Sequence, residues 1–282
     1  MDKLRKIIHV CGGSLRRILR EPRFYVALLW FSLLIVNLAV DVRDLSSLSG
    51  VKSSPWLFPL VTKSSGNQLF IIIGALLIFC DAPFLHGGSE WQILRAGRRN
   101  WFWGNMLYIW GTAFLYTLGL ALLPMLLLIP HAEFMGGWGR VLGSFAQGSV
   151  FGGTSLSYEI MVRYSPLQAM VLTFLPVWLN AVLIGMVNYA FNLLTRRGIG
   201  AAVSVALALS PMMLSGIRVT STVAYYFSPP LWMNLEYYKD RGYGAGVTFG
   251  YAYGGLFLLI ALCTAVSYVG VRKKDLVVVD EI

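Results

Sequence analysis

Few residues of this chain have the types and spacing that catalysis or metal binding requires. No cysteine has a second cysteine or a histidine at ligand spacing, and the zinc-protease pattern HExxH does not occur. The Gly-Lys dipeptide of a Walker A loop, which would bind the phosphates of ATP, is also missing from the sequence. The sequence therefore predicts no enzyme activity, no metal site and no cofactor on this chain. The scattered residues are His9, His86, His131, Cys11, Cys80 and Cys263.

Asp81 is the carboxylate nearest to an apolar stretch, in the sequence Cys80-Asp81-Ala82-Pro83. Carboxylates inside a membrane often mark proton or ion paths. The alternative is a carboxylate at the end of a helix, level with the lipid headgroups. We favour this second interpretation, because between their flanking charges the apolar stretches carry no ionisable side chain other than tyrosine.

Three asparagines lie within one long apolar stretch. Asn188 and Asn192 are four residues apart and share one face of a helix, with Gly185 one turn before Asn188. Small and amide side chains on one face often mark helix–helix packing in membranes. Packing is therefore the favoured role of Asn180, Asn188 and Asn192. The alternative, in which they line a substrate path, stays open.

The composition of the whole chain is that of an integral membrane protein. Of its 282 residues, 57% are hydrophobic and 13% are charged, whereas soluble domains carry about 25% charged residues. The mean hydropathy is +0.66. These values exclude a disordered chain, a nucleic-acid-binding domain and an ordinary cytosolic enzyme as leading classes. We therefore expect an all-α protein in a lipid bilayer.

Six stretches without Asp, Glu, Lys or Arg fit the requirement for a bilayer-crossing helix, which is about 20 mostly apolar residues. We expect them to form one transmembrane domain over residues 24–271, preceded by a segment over 1–23 and followed by a tail over 272–282. The predicted spans are Phe24–Val40, Ser64–Cys80, Asn100–Pro130, Tyr164–Thr195, Gly198–Ile217 and Gly242–Val271.

Two further uncharged stretches are poorer candidates. Val141–Tyr158 is too rich in glycine and serine for a spanning helix. Val219–Leu235 contains Pro229-Pro230, and proline removes a backbone donor and disrupts helices. Non-helical backbone at membrane depth needs cover from protein or water. The second stretch is therefore either a re-entrant or interfacial segment or a loop outside the membrane.

The basic residues predict the orientation. With six spans, 15 of the 23 Lys and Arg residues fall on the side that holds both termini. Cytoplasmic loops carry the excess of Lys and Arg, so both termini are expected in the cytoplasm. This distribution also accounts for the net charge of +10 without a nucleic-acid partner.

The segment over residues 1–23 has the pattern of an amphipathic helix. Its apolar residues recur at helical spacing, and its basic residues lie mostly off that face. We expect a helix lying on the inner leaflet of the bilayer, with a plain basic tail as the alternative. The apolar face consists of Leu4, Ile7, Ile8, Cys11, Leu15, Ile18 and Leu19.

The loop between the second and third predicted spans contains the sequence SEWQILRAGRRNWFWGNMLYI. Ser89 and Gln92 are placed for a capping box, which predicts a short helix from Glu90 to about Ala96. Arg95, Arg98 and Arg99 would cluster if that helix continued. A capped helix with acidic, aromatic and basic residues is more than membrane topology alone requires.

In this layout the chain resembles the permease subunits of type-2 ATP-binding-cassette transporters of the Gram-positive bacterial kind. The resemblance implies that the short cytoplasmic helix docks on a separate ATPase subunit that carries ATP and Mg²⁺. It also implies a re-entrant element before the last span. A second permease subunit, either another copy or a related chain, would complete the path. The expected ATPase contacts are Glu90, Trp91, Arg95, Arg98 and Arg99.

These observations together predict the permease subunit of an ATP-driven exporter. Three alternatives remain: a secondary transporter or channel that needs no ATPase, a membrane-embedded enzyme, and a membrane sensor or immunity protein. The enzyme is disfavoured because paired carboxylates and histidines are missing. A neighbouring gene for a Walker A ATPase would best separate the remaining alternatives.

Overall fold

A computed structural model describes residues 2–84, 89–148, 156–195, 198–216, 224–240 and 246–273. Its secondary structure is helical: these ranges hold no strand, and their one extended pairing is the bridge between Ser53 and Ala132. The α-helices are α1 (Asp2–Ile18), α2 (Pro22–Ser49), α3 (Phe58–Val61), α4 (Ser65–Phe79), α5 (Ser89–Ala96), α6 (Arg98–Leu128), α7 (Gly139–Ala146), α8 (Tyr158–Arg163), α9 (Pro166–Leu194), α10 (Ile199–Gly216), α11 (Ala224–Phe227) and α12 (Phe249–Lys273).

Several of these helices are apolar and long, as in a membrane protein. Among the described residues, α6, α9 and α12 are each long and apolar enough to cross a bilayer. Helix α2 makes a fourth if its two parts, Pro22–Leu33 and Ile35–Ser49, form one bent span, since they are inclined by 47°. Helices α4 and α10 are apolar but shorter. Each of the six predicted windows thus contains a helix, while six crossings stay a prediction.

Helix α9 lies at the centre of the bundle. A capping box starts it, because the Ser165 hydroxyl accepts from the Gln168 N–H and the Gln168 side chain accepts from the Ser165 N–H. The helix packs against α4, α6, α10 and α12. Near its other end, the buried Tyr189 ring contacts Phe84 and Phe102, with ring centroids 6.3 and 6.1 Å apart. The core is therefore built around this helix.

One end of the bundle is basic, and we call it the basic end. It holds α1, α5, the first turns of α2 and α6, and the last turns of α4, α9 and α12. Arg23 at the start of α2 forms an ion pair with Asp81, which follows α4. Gly270 of α12 packs against Leu193 of α9.

Two consecutive 3₁₀ helices, Pro229–Met233 and Leu235–Tyr237, lie between α11 and α12; the first is buried throughout, and the second is buried at Leu235. The first packs against α4, α9, α10 and α12. The Asn180 amide donates to the Pro229 carbonyl at 3.2 Å, and Asn180 lies about 21 Å along α9 from its first residue. Residues 228–235 of the predicted 219–235 segment thus lie inside the bundle, whereas Tyr226 and Phe227 before them are exposed. The depth of this segment in a membrane stays a prediction.

Candidate functional site

One residue, Gly97, connects helix α5 to the first turn of α6. The Gly97 backbone has φ +81°, in the region that favours glycine. The Gly97 N–H donates to the Ile93 carbonyl at 2.8 Å, and the Trp101 N–H donates to the Gly97 carbonyl at 3.0 Å. The Asn100 amide donates to the Ala96 carbonyl at 2.7 Å and so satisfies the end of α5. A displacement of α5 must therefore move the start of α6.

The outer side of α5 exposes large apolar side chains. Ala96 is buried and Ile93 is half-buried against the bundle. Trp91 and Leu94 are 68% and 75% exposed, and Arg95 beside them is exposed as well. Tryptophan and arginine are the residue types that most often dominate binding at protein interfaces. The exposed side of α5 therefore has the chemistry of a docking surface.

A groove of about 590 Å³ lies between α1 and α5. Its polar lining comes from Arg5, Lys6 and His9 of α1 together with Gln92 and Arg95 of α5, and Trp91 forms one wall. Among the described residues, Arg5, Lys6 and Arg95 have no ion-pair partner. The groove is therefore suited to an acidic group attached to an apolar one.

Helix α1 is held against α6 by close packing at Gly104. A Cβ at this position would lie 2.6 Å from the Cγ1 atom of Val10, so the residue must be glycine for α1 to approach this closely. Ile18 is also buried. Leu4, Ile8 and Leu19 are exposed, although all are apolar. Helix α1 therefore has one apolar side against the protein and another that faces away from it, and its placement on a membrane surface stays a prediction.

The expected ATPase contacts are separated by the break at Gly97. Trp91 and Arg95 line the groove, whereas Arg98 and Arg99 lie in the first turn of α6, and neither is part of the groove's lining. The Glu90 side chain and the predicted Ser89 cap lie outside the described residues. The sequence pattern did not indicate Arg5, Lys6 or His9 as part of this surface. The sequence feature that could have indicated them is the spacing of Arg5 and His9, which lie four residues apart on the polar side of α1.

The three asparagines are buried, and each amide bonds to another segment. Asn180 contacts Pro229, as described above, and the Asn188 amide donates to the Ser204 hydroxyl of α10 at 2.8 Å. The Asn192 amide donates to the Ala82 carbonyl at 2.9 Å. Its oxygen accepts from the N–H groups of Gly198 and Gly200 at 3.2 and 2.9 Å. Asn192 thus joins the end of α4 to the start of α10.

Ionisable and metal-binding groups are dispersed. No group of three His, Cys, Asp or Glu residues that could hold a metal occurs among the described residues. Cys11, Cys80 and Cys263 are free thiols. Burial raises the pKa of the Cys11 thiol, so this cysteine is largely protonated and slow to react at neutral pH.

Comparison with known proteins gives no relative. No family model, no curated protein and no solved structure matches this chain. Functional conclusions therefore rest on the surface formed by α1, α5 and α6.

Proposed function

We propose that this chain is the transmembrane permease subunit of an ATP-driven exporter in a bacterial plasma membrane. In this proposal the six apolar helices all span the bilayer, both termini are cytoplasmic, and a second permease subunit completes the path. A separate ATPase subunit, which carries ATP and Mg²⁺, docks at the basic end.

The observation that carries the proposal is the exposed Trp91 and Leu94 on a helix fixed to α6. Large apolar side chains clustered with cations on a protein surface indicate a partner site. The groove beside Trp91 adds Arg5, Lys6 and Arg95. An acidic side chain of the ATPase would neutralise these cations and fix the register of docking.

The connection to α6 supports a coupling role for this surface. Helix α6 has 31 residues and is therefore about 46 Å long. It contacts α2, α9 and α12 along its length. Because one residue separates α5 from α6, movement of a docked ATPase would tilt a helix that reaches through the bundle. Contacts alone transmit this movement, and no catalytic residue is required on this chain.

Co-purification of an ATPase subunit with this chain tests the proposal. Trp91→Ala should weaken its recruitment by about 2 kcal/mol, if Trp91 is an interface anchor, and should lower transport-linked ATP hydrolysis. Trp30→Ala is the matched control, because Trp30 is an exposed tryptophan of α2 that does not line the groove. Recruitment should also fall with rising salt, since exposed charges are screened.

Two outcomes contradict the proposal at different levels. Undiminished recruitment by Trp91→Ala removes the anchor role of this residue. If the wild-type chain never binds an ATPase, the exporter proposal fails. An ATPase-independent transporter or channel, or a membrane sensor, then becomes the better explanation.

A further inference from the structure

A second groove lies on the outer surface of the bundle, between α6 and α12. Its volume is about 470 Å³. Aromatic rings form its walls, and small side chains leave the space between them. The principal lining residues are Trp103, Trp110, Phe257, Ala261, Ala265 and Tyr268.

Four aromatic rings form two pairs, and in each pair one ring belongs to α6 and the other to α12. Trp110 and Phe257 are nearly parallel, with centroids 6.5 Å apart, and Trp103 and Tyr268 have centroids 6.4 Å apart. From Phe257 to Tyr268 the groove follows α12 for about 16 Å. This length is close to one leaflet of the hydrocarbon core, about 15 Å. The length of the groove therefore matches a single acyl chain.

The exposed side of α12 indicates where the hydrocarbon begins and ends. It carries apolar side chains from Tyr251 to Val269, over about 27 Å, which is close to the thickness of the core, about 30 Å. The first charged residue after this stripe is Arg272. The groove consequently runs from the headgroup level at Arg272 towards the middle of the bilayer.

Cations surround the headgroup end of the groove. The Arg272 guanidinium lies over the ring of Tyr268, 5.8 Å from its centroid. Arg99 is exposed one turn before Trp103, on the same side of α6. Lys273 is also exposed. Arginine binds phosphate oxygens through its fork of N–H donors, so this end suits a lipid phosphate.

Two indole donors in the groove have no protein acceptor. Within the described residues, neither the Trp103 nor the Trp110 N–H makes a hydrogen bond, whereas the Trp178 N–H donates to the Trp110 carbonyl at 3.2 Å. The Thr264 hydroxyl is satisfied by the Ile260 carbonyl at 2.7 Å. An N–H in contact with hydrocarbon lacks water as a partner. The ester carbonyl of a lipid, just below its phosphate, would supply an acceptor for Trp103.

We propose that this groove binds one anionic phospholipid, with an acyl chain lying along the groove against the aromatic rings and its phosphate at Arg272. The proposal goes beyond the exporter function and requires only that α6 and α12 lie in a bilayer. The lipid belongs to the cytoplasmic leaflet if the termini are cytoplasmic. Its headgroup charge, and not only its chain, determines the affinity.

Native mass spectrometry of the purified full-length chain, without any ATPase, tests this proposal. Phosphatidylglycerol and phosphatidylcholine of identical chains are the probes, and inorganic phosphate is a separate arm. Phosphatidylglycerol should bind more tightly than phosphatidylcholine, and phosphate alone should not compete. Arg272→Gln should lower the phosphatidylglycerol affinity roughly fivefold. Asp275, three residues further, is outside the described residues, and Asp275→Asn should not weaken binding.

Groove-filling variants test the position of the chain. Ala261→Trp should lower the affinity for both lipids roughly tenfold or more, because the new ring occupies the space between the walls. Leu262→Trp is the matched control, since Leu262 is exposed on α12 and does not line the groove. In the wild-type chain, phosphatidylglycerol with a photoreactive acyl chain should label peptides that contain residues 103–110 and 257–268.

Equal binding of the two lipids, or equal losses in Ala261→Trp and Leu262→Trp, would overturn the proposal. Photolabelling of the wild-type chain confined to other helices would also overturn the proposal. This test does not depend on whether any variant folds. A change of oligomeric state in Ala261→Trp, without loss of lipid, would make the groove an interface between two copies. None of these results depends on an ATPase, so the exporter proposal is tested separately.

Discussion

Replacing Gly104 with alanine should partly detach α1 from α6. The new Cβ would lie 2.6 Å from Val10 Cγ1 and 3.2 Å from the Ile7 carbonyl oxygen, whereas carbon atoms in good contact are about 3.5–4.0 Å apart. The helices must therefore separate by about 1 Å. Overpacking of this kind costs about 1–3 kcal/mol. The detached fraction of α1 should rise roughly 5- to 150-fold.

Cys11 is a native reporter for this change. It is half-buried beside α6, and burial raises the pKa of its thiol. Since the thiolate is the reactive form, a maleimide should label docked α1 slowly, and the rate should increase as the pH rises. With Cys80→Ser and Cys263→Ser in the background, Gly104→Ala should increase the labelling rate of Cys11 at least about fivefold.

Two variants control the interpretation. Gly111→Ala makes the same substitution in the same interface, but its Cβ would lie 3.6 Å from Leu15, an ordinary contact distance. It should leave the rate unchanged. In a Val10→Gly background, Gly104→Ala should change the rate less than it does in the wild-type chain, because both clashing atoms, Val10 Cγ1 at 2.6 Å and Cβ at 2.7 Å, are gone. If Gly104→Ala labels at the wild-type rate, α1 does not dock on α6 through this contact.

Two other predictions concern orientation and the link made by Asn192. Single cysteines replacing Arg196 and Lys239 should react oppositely with an impermeant thiol reagent in intact cells, with position 239 labelled and position 196 protected. The reverse pattern would contradict the six-span topology. Asn192→Ala leaves two buried backbone groups, the Ala82 carbonyl and the Gly200 N–H, without partners and should cost about 3 kcal/mol, seen as a lower unfolding midpoint in detergent. Asn67→Ala, which removes one bond to the Val61 carbonyl, should cost about 1 kcal/mol.

Features set by local sequence could be predicted. The apolar windows locate the long helices because flanking charges, prolines and glycines limit them, as at Ser165-Pro166 before α9. The short helix of residues 89–96 follows from the same kind of local signal. Gly97 was itself a local signal for a break between two helices. Whether the short helix would continue through Arg98 and Arg99 depends on the φ of Gly97, which the sequence alone does not determine.

Contacts between distant segments could not be predicted from one sequence. The basic residues of α1 have the spacing of a solvated helix face, and only packing on α6 brings Arg5 beside Arg95. The aromatic groove could not be predicted for the same reason, since Trp103 and Tyr268 are neighbours only when α6 and α12 are antiparallel. Amphipathic periodicity shows that α1 buries an apolar face, but it does not show whether protein or lipid covers it.

The packing of Val10 on Gly104 also determines when α1 reaches its final position. These residues are 94 positions apart in the chain, and ribosomes add about 5–20 residues each second. Helix α1 is therefore made at least about 5–20 s before its partner on α6. During that interval its inner apolar side has no protein to cover it. The newly made segment must wait on a lipid surface or a chaperone, and the apolar side that stays exposed in the finished protein would hold it there.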